Sequence, residues 1–375
     1  MAHAYTPGLK VLEYTVLTKQ RRLPLPGEIL VSKGAKVTAE QVVARTNLPG
    51  NVQTVNVAGL LGLLPDETEE AMLKKIGDKV AKDEVMAQSK GLFGLFKSRV
   101  CCPINGEVES ISKITGQVIC REPPIPVEVI AYIDGEVIDT LKNEGVIIET
   151  KGSFIQGIFG IGGETIGTLD MAVDSPDVVL TAEEINSSFK DKIIIGGSMV
   201  TIDALTKARS VGVKGVVIGG IEDQDLKKFM GYDIGVAITG SENVGLTLIA
   251  TEGFGKLSMA ERTFTLLKSL RGKKSSINGA TQIRAGVMRP EVIVPSEVKE
   301  PRKKTKSISG GTGLEVGMAV RIIREPYFGL IGKVVNLPVE LSHVETESKV
   351  RVLEVELANQ QRVTLPRANV EIIEE

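Results

Sequence analysis

Two groups of residues have types and spacings that could do chemistry. The first is a set of glycine turns in the middle of the chain. "IIGGSM" places Gly196, Gly197 and Ser198 ahead of one expected helix, and "ATEGFG" places Thr251, Glu252, Gly253 and Gly255 ahead of another. Turns of this kind can offer backbone N–H groups to a phosphate at a helix amino terminus. However, "GIGGETIG" is not G-x-G-x-x-G between a strand and a helix, and no G-x-x-x-x-G-K-[ST] occurs, so tight strand-to-helix connections account for most of these glycines. The second group is basic: in "NGATQIRAGVMRP", Arg284 and Arg289 sit among small and polar residues that suit an anion-binding loop.

Catalytic material is sparse. Glu164, Asp170, Glu242 and Glu252 are candidate acids or bases, although a carboxylate near a glycine turn more often caps it. The only histidines are His3 and His343, which excludes a histidine triad within the central segment. Cys101, Cys102 and Cys120 are too few and too irregular for a disulfide framework or a four-ligand zinc site. Reduced, packed thiols are expected, with no cofactor, no metal and no catalytic residue.

These residues need elements to hold them. A chain of 375 residues implies several domains. With 40 glycines, no tryptophan and 4% aromatic residues, its interior must be built from Val, Ile, Leu and Ala, which favours β-rich domains with many turns. A net charge of −2 predicts no general attraction to nucleic acid or anionic membrane, so such a contact needs a local patch. The amino terminus lacks the basic-then-apolar order of a signal peptide and no apolar run is long enough to span a bilayer, so a cytoplasmic protein is expected.

The first third contains a repeat. "ILVSKGAKVTAEQVVART" and "MLKKIGDKVAKDEVMAQS" align without a gap at a spacing of 43 residues, matching Gly34 with Gly77, Lys36 with Lys79 and Val37 with Val80. Each copy reads as strand, glycine turn and strand. Each then reaches a proline turn and a further strand, "LPGNVQTVNV" in the first and "CPINGEVESI" in the second. The second copy resembles the biotinyl/lipoyl half-barrel, in which G-D-x-V precedes P-x-x-G-x-V. Two halves resemble a barrel-sandwich hybrid, as in carrier domains, membrane-fusion adaptors and the amino-terminal region of Rnf-type electron-transport subunits. Carriers of that family modify a lysine about eight residues before the proline, where Leu95 stands here, so biotin or lipoate is not expected. Instead "KGLFGLFK" makes an apolar finger of Leu92, Phe93, Leu95 and Phe96, suited to packing or to a protein partner.

Beyond residue 150 the pattern alternates between buried strands and helices, with Thr201 as a helix cap and Ile202, Leu205 and Ala208 at helical spacing. An α/β layer over residues 151–295 follows, similar to swivelling β/β/α domains. Residues 296–313 read as a basic linker carrying Arg302, Lys303 and Lys304. Residues 314–375 open with "LEVGMAVRIIREPYFGLIGKVVNL", whose Gly317, Val320, Ile322, Gly329, Gly332 and Val334 resemble the KOW motif of NusG-type transcription factors and ribosomal proteins. The resemblance implies an SH3-like barrel in contact with RNA, a ribonucleoprotein or RNA polymerase. It would place Arg321, Arg324, Tyr327, Phe328 and Lys333 on or near the contact loop, where charge and aromatic stacking serve such contacts.

The expected protein is a multidomain β-rich α/β adaptor: a barrel-sandwich hybrid with a β extension in residues 1–150 recruiting a protein partner, the glycine-rich α/β domain, the linker and the KOW-like barrel. The alternatives are an enzyme or electron-transfer accessory subunit that binds a phosphorylated ligand at the glycine turns, and a scaffold in a membrane-associated complex.

Overall fold

The computed structural model describes residues 9–90, 97–231, 244–281, 288–296, 314–322, 327, 330–338, 340–343, 349–357 and 360–374. Its organising element is the long strand Leu9–Arg22, paired antiparallel with Gly145–Gln156 from Val11↔Ile155 to Arg22↔Gly145. Successive residues of a strand face opposite sides of the sheet. That alternation divides this sheet between two interiors. Val11, Ile155, Val292 and Val294 belong to one core, whereas Leu12, Phe154 and Ile293 pack in the other.

On one side lie two β units, one inserted within the other. The outer unit joins Glu28–Ile29, Val42–Leu48 and Ile125–Ile130 in a three-stranded sheet, and pairs Lys36–Val37 with Gly135–Leu141. The inner unit is a four-stranded sheet of Val52–Asn56, Gln117–Arg121, Gly106–Ile111 and Lys79–Val80. A hairpin of Val85–Gln88 with Arg99–Cys101 belongs to the same unit.

The repeat is present in space but is completed differently from the expectation. Val52–Asn56 does not finish the first copy; it pairs with Gln117–Arg121 of the inner unit, from Asn56↔Gln117 to Val52↔Arg121. The first copy is completed by "IDGEV" at 133–137, which duplicates "INGEV" at 104–108. The same bonds recur in both units. The Gly34 N–H donates to the Val137 carbonyl and that of Gly77 to the Val108 carbonyl, at 2.7 and 2.8 Å. Ala39 N–H donates to Asp134 Oδ1, and Lys82 N–H donates to Asn105 Oδ1. Both turn glycines have positive φ, 84° and 89°, a conformation that side chains with a Cβ resist.

The other side is the α/β layer. Its strands run in the order Phe159–Ile161, Thr247–Phe254, Gly215–Ile221, Lys192–Ile195, Glu164–Met171, Lys274–Asn278 and Glu291–Pro295, and the last pairs with Gly145–Gln156. The four in the middle, from Thr247–Phe254 to Glu164–Met171, are parallel, and every residue of Gly215–Ile221 is buried, as a strand covered on both faces requires. Helix Ile202–Val211 starts at Thr201, whose hydroxyl accepts from Ala204 N–H, and ends at Gly212 with φ 86°. It packs against Asp223–Met230, while Glu261–Ser269 lies against Leu9–Arg22 and Glu164–Met171.

The carboxyl-terminal half-barrel orders its strands Val370–Glu374, Ala319–Ile322, Ile331–Asn336, Lys349–Leu357 and Arg362–Pro366. It encloses Val320, Ile322, Val334, Leu353, Val355 and Val370. Its last strand joins the long strand in parallel, Leu9↔Ile373 and Lys10↔Glu374. Among the described residues no helix is long and apolar enough to cross a membrane.

The nested arrangement predicts separable stability. A Cβ on Gly106 would collide with the Arg121 carbonyl oxygen across the inner sheet. Gly106→Ala is therefore expected to cost about 1–3 kcal/mol, as overpacking does. Hydrogen exchange should accelerate over 52–121 and stay unchanged in the α/β layer; equal acceleration in both would refute independent units.

Candidate functional site

Ligands of open α/β sheets usually settle outside the carboxyl ends of the parallel strands. In this chain those ends are the glycine turns, and their donors are engaged by the chain itself. Gly196 N–H donates to Val217, Ser198 to Val178, Gly219 to Gly197, Gly220 to Ser198 and Gly255 to Ile221, all onto backbone carbonyls at 2.8–2.9 Å. Ser198 Oγ donates to the Asp177 carbonyl and Thr251 Oγ1 to the Ile218 carbonyl. Gly197 is pressed against the Val178 carbonyl so closely that a Cβ would not fit. These donors hold loop to loop, which is the physical reason for the glycines and leaves those N–H groups no role in a phosphate cradle.

Glu252 and Arg321, expected in two different sites, meet in one. Glu252 ends the Thr247–Phe254 strand region with its carboxylate turned to two partners. Oε1 accepts from Ala260 N–H at 3.1 Å, at the start of the Glu261–Ser269 helix. Oε2 accepts from Arg321 Nη1 at 2.8 Å, and the same nitrogen also donates to the Glu252 and Thr251 carbonyls at 3.0 and 3.4 Å. The Arg321 side chain is only 2% exposed. Alternation explains it: Val320 and Ile322 point into the half-barrel, so Arg321 must point out, and the α/β layer covers that outer side. Arg321 is therefore a buried joint between two parts of the chain, not a solvent-facing contact as the KOW resemblance implied.

Lys333 does face solvent, on the adjoining strand. Tyr327 is half-buried and packs against the half-barrel core. Arg289 is half-buried next to the buried Pro290. Arg324, Phe328, Arg302, Lys303, Lys304, Arg284, Glu242, Leu92, Phe93, Leu95 and Phe96 lie outside the described residues. The hairpin expected beneath the apolar finger is present, closed by Ser89 N–H onto the Ser98 carbonyl at 3.0 Å.

A cleft of about 1610 Å³ lies between the outer β unit and helix Glu261–Ser269. Lys36, Lys151, Arg262 and Lys273 line it together with Glu13, Glu136, Glu149 and Glu261, and among the described residues no ion pair engages any of them. Mixed, unpaired charge over an opening of this size suits an extended polar segment better than a compact apolar molecule. A smaller cleft of about 930 Å³ lies at the opposite, amino-terminal ends of the parallel strands, with Gly162, Gly163, Glu164 and Lys214 in its lining. Glu164 is already held there by both terminal nitrogens of Arg21, at 2.6 and 2.8 Å.

Several charged residues prove structural. Tyr132 is buried with φ 70°, donates to Glu291 at 3.3 Å and lies under the Arg21 guanidinium, while Lys19 grips both Glu291 oxygens at 2.5 and 2.6 Å. Burial first, then the Glu291 charge, push the Tyr132 hydroxyl well above its ordinary range. Cys102 and Cys120 are buried in the inner core and Cys101 is exposed; burial, reinforced by Cys102, pushes the Cys120 thiol up to about 12, which keeps it protonated and inert. Nothing in the sequence joins Arg21 to Glu164 or Lys19 to Glu291, because the members of each pair are 143 and 272 residues apart.

No protein-family model matches the chain, and no curated protein matches it.

Asp170 gives a test by pH. Its burial opposes ionisation, but hydrogen bonds from Lys192 Nζ and Met171 N–H, with the Lys192 and Arg271 charges, bring its carboxyl below the ordinary 3.8. A carboxyl lowered by folding contributes stability that is present above its unfolded pKa and is lost as pH falls through the folded one. Asp170→Asn should therefore lower Tm at pH 7, and the gap to the wild type should shrink as pH falls below about 4. A gap that stays constant down to pH 2 would contradict this assignment.

Proposed function

We propose that the protein is a cytoplasmic multidomain adaptor whose carboxyl-terminal half-barrel is an SH3-like KOW barrel contacting RNA, a ribonucleoprotein or RNA polymerase. The observation that carries this reading is the fit of the motif to its strands. Gly317 makes the entering turn with φ 97°; Val320 and Ile322 on one strand and Val334 on the next fill the core. The pairing Ala319↔Lys333 then leaves Lys333 exposed on the outward face. An exposed lysine on such a face is suited to phosphate contact.

The two β units form, in this reading, a pair of barrel-sandwich hybrid folds, and the α/β layer is of the swivelling β/β/α type. Their role is recruitment of a protein partner, with the mixed-charge cleft of about 1610 Å³ as the receiving surface. A phosphorylated ligand at the glycine turns is disfavoured, because the N–H groups named above already serve backbone carbonyls.

Binding of the full chain to a labelled single-stranded RNA 20-mer tests the reading. Affinity should fall with salt, as phosphate contacts release counterions. Lys333→Glu should weaken binding across sequences and lower the salt slope by about one. Absence of binding to RNA, ribosomes and RNA polymerase alike would overturn it.

A further inference from the structure

The outer face of the half-barrel is divided between an internal joint and solvent. In Ala319–Ile322, Val320 and Ile322 face inward, so Ala319 and Arg321 face outward. Arg321 is paired across the sheet with Ile331, and Ala319 with Lys333. Arg321 is buried against the α/β layer, and the exposed Ile331 edges the same gap of about 30 Å³, lined also by Leu9, Val11, Thr251, Glu252 and Thr263. Lys333, two cross-strand pairs further along on the same face, is exposed.

The group that Arg321 holds has the chemistry of the ligand expected on that face. A carboxylate and a phosphate present similar oxygens and the same charge to a guanidinium, and arginine recognises both. The joint is also narrow. Among the described residues it includes the Glu252–Arg321 contact and strand pairing at two positions, Leu9↔Ile373 and Lys10↔Glu374. Contacts of limited extent between parts of one chain permit relative motion.

We propose that the joint is an autoinhibitory contact: Glu252 occupies the phosphate position of Arg321, and undocking of the half-barrel adds Arg321 to the already exposed Ile331 and Lys333 as one RNA-binding face. The proposal rests on the RNA reading above. A docked chain binds RNA with an affinity reduced by the fraction of molecules that are open, so any change that favours opening tightens binding by the same factor. The carboxylate side of the contact acts as competitor, and RNA phosphates act as the releasing ligand.

Two variants open the joint from the α/β side without altering the RNA face. Glu252→Gln keeps an oxygen for the Ala260 N–H and removes the charge opposite Arg321. Leu9→Lys places a cation in the gap that holds Arg321, where like charges repel. Each is measured in the full chain with the RNA 20-mer, alongside hydrogen exchange of residues 9–11 and 319–322. Both variants should exchange faster there and bind RNA on the order of tenfold more tightly. The Glu252→Gln, Arg321→Gln double variant should lose the gain.

If exchange rises but RNA affinity stays at the wild-type value, the contact is a plain structural joint; the autoinhibition fails while the RNA reading stands. If neither the wild type nor an undocked variant binds RNA, both fail. Unchanged exchange in both variants shows that docking does not depend on this contact and also overturns the proposal.

Discussion

The structure depends on one sheet being shared by two cores. Leu9–Arg22, Gly145–Gln156 and Glu291–Pro295 lie side by side, and alternate residues of the three strands enter different interiors. Charge reinforces the same strand: Lys19 is tied to Glu291, and Arg21 is tied to Glu164 and the Ile130 carbonyl. A one-residue slip in this pairing would exchange the two sets of side chains and expose both cores at once. The outer β unit and the α/β layer are therefore fixed to each other by strand register, whereas the inner unit has its own sheets and core.

The half-barrel is attached by different means. It has its own core, and among the described residues its joint to the rest includes a buried ion pair and two paired positions at the end of the same long strand. Removing one partner of a buried ion pair leaves an uncompensated charge, a cost on the order of 3–5 kcal/mol, whereas the intact pair adds little net stability after its desolvation.

Local features were readable because they rest on local rules. Thr201 as a cap, the buried Ile193–Ile195 strand, the paired glycine turns at Gly34 and Gly77 and the inward pattern of Val320, Ile322 and Val334 all follow from spacing and residue type. The nesting of the β units was not read. "INGEV" and "IDGEV" have the same local preferences, and which strand each completes is decided by pairing over many residues. The strand "VQTVN" was equally compatible with either unit until its partner Gln117–Arg121 was known.

The surroundings of the candidate site were less legible for a related reason. A glycine turn reveals exposed N–H groups only when nothing in the chain reaches them, and here Val178, Gly197 and Ile221 do. Alternation correctly turns Arg321 away from the barrel core, but on an isolated barrel that direction is solvent; only the Glu252 carboxylate, 69 residues away, makes it an interior. The unpaired cations of the cleft beside helix Glu261–Ser269 come from four separate segments, so no single stretch of sequence advertises them.

The central claim is that the outward face of the half-barrel contacts RNA. Ultraviolet crosslinking of the full chain to RNA, with the modified peptides identified by mass spectrometry, tests it most directly. The account predicts crosslinks within the segment from Tyr327 to Lys333. Crosslinks confined to residues 9–296, or none at all, would contradict it.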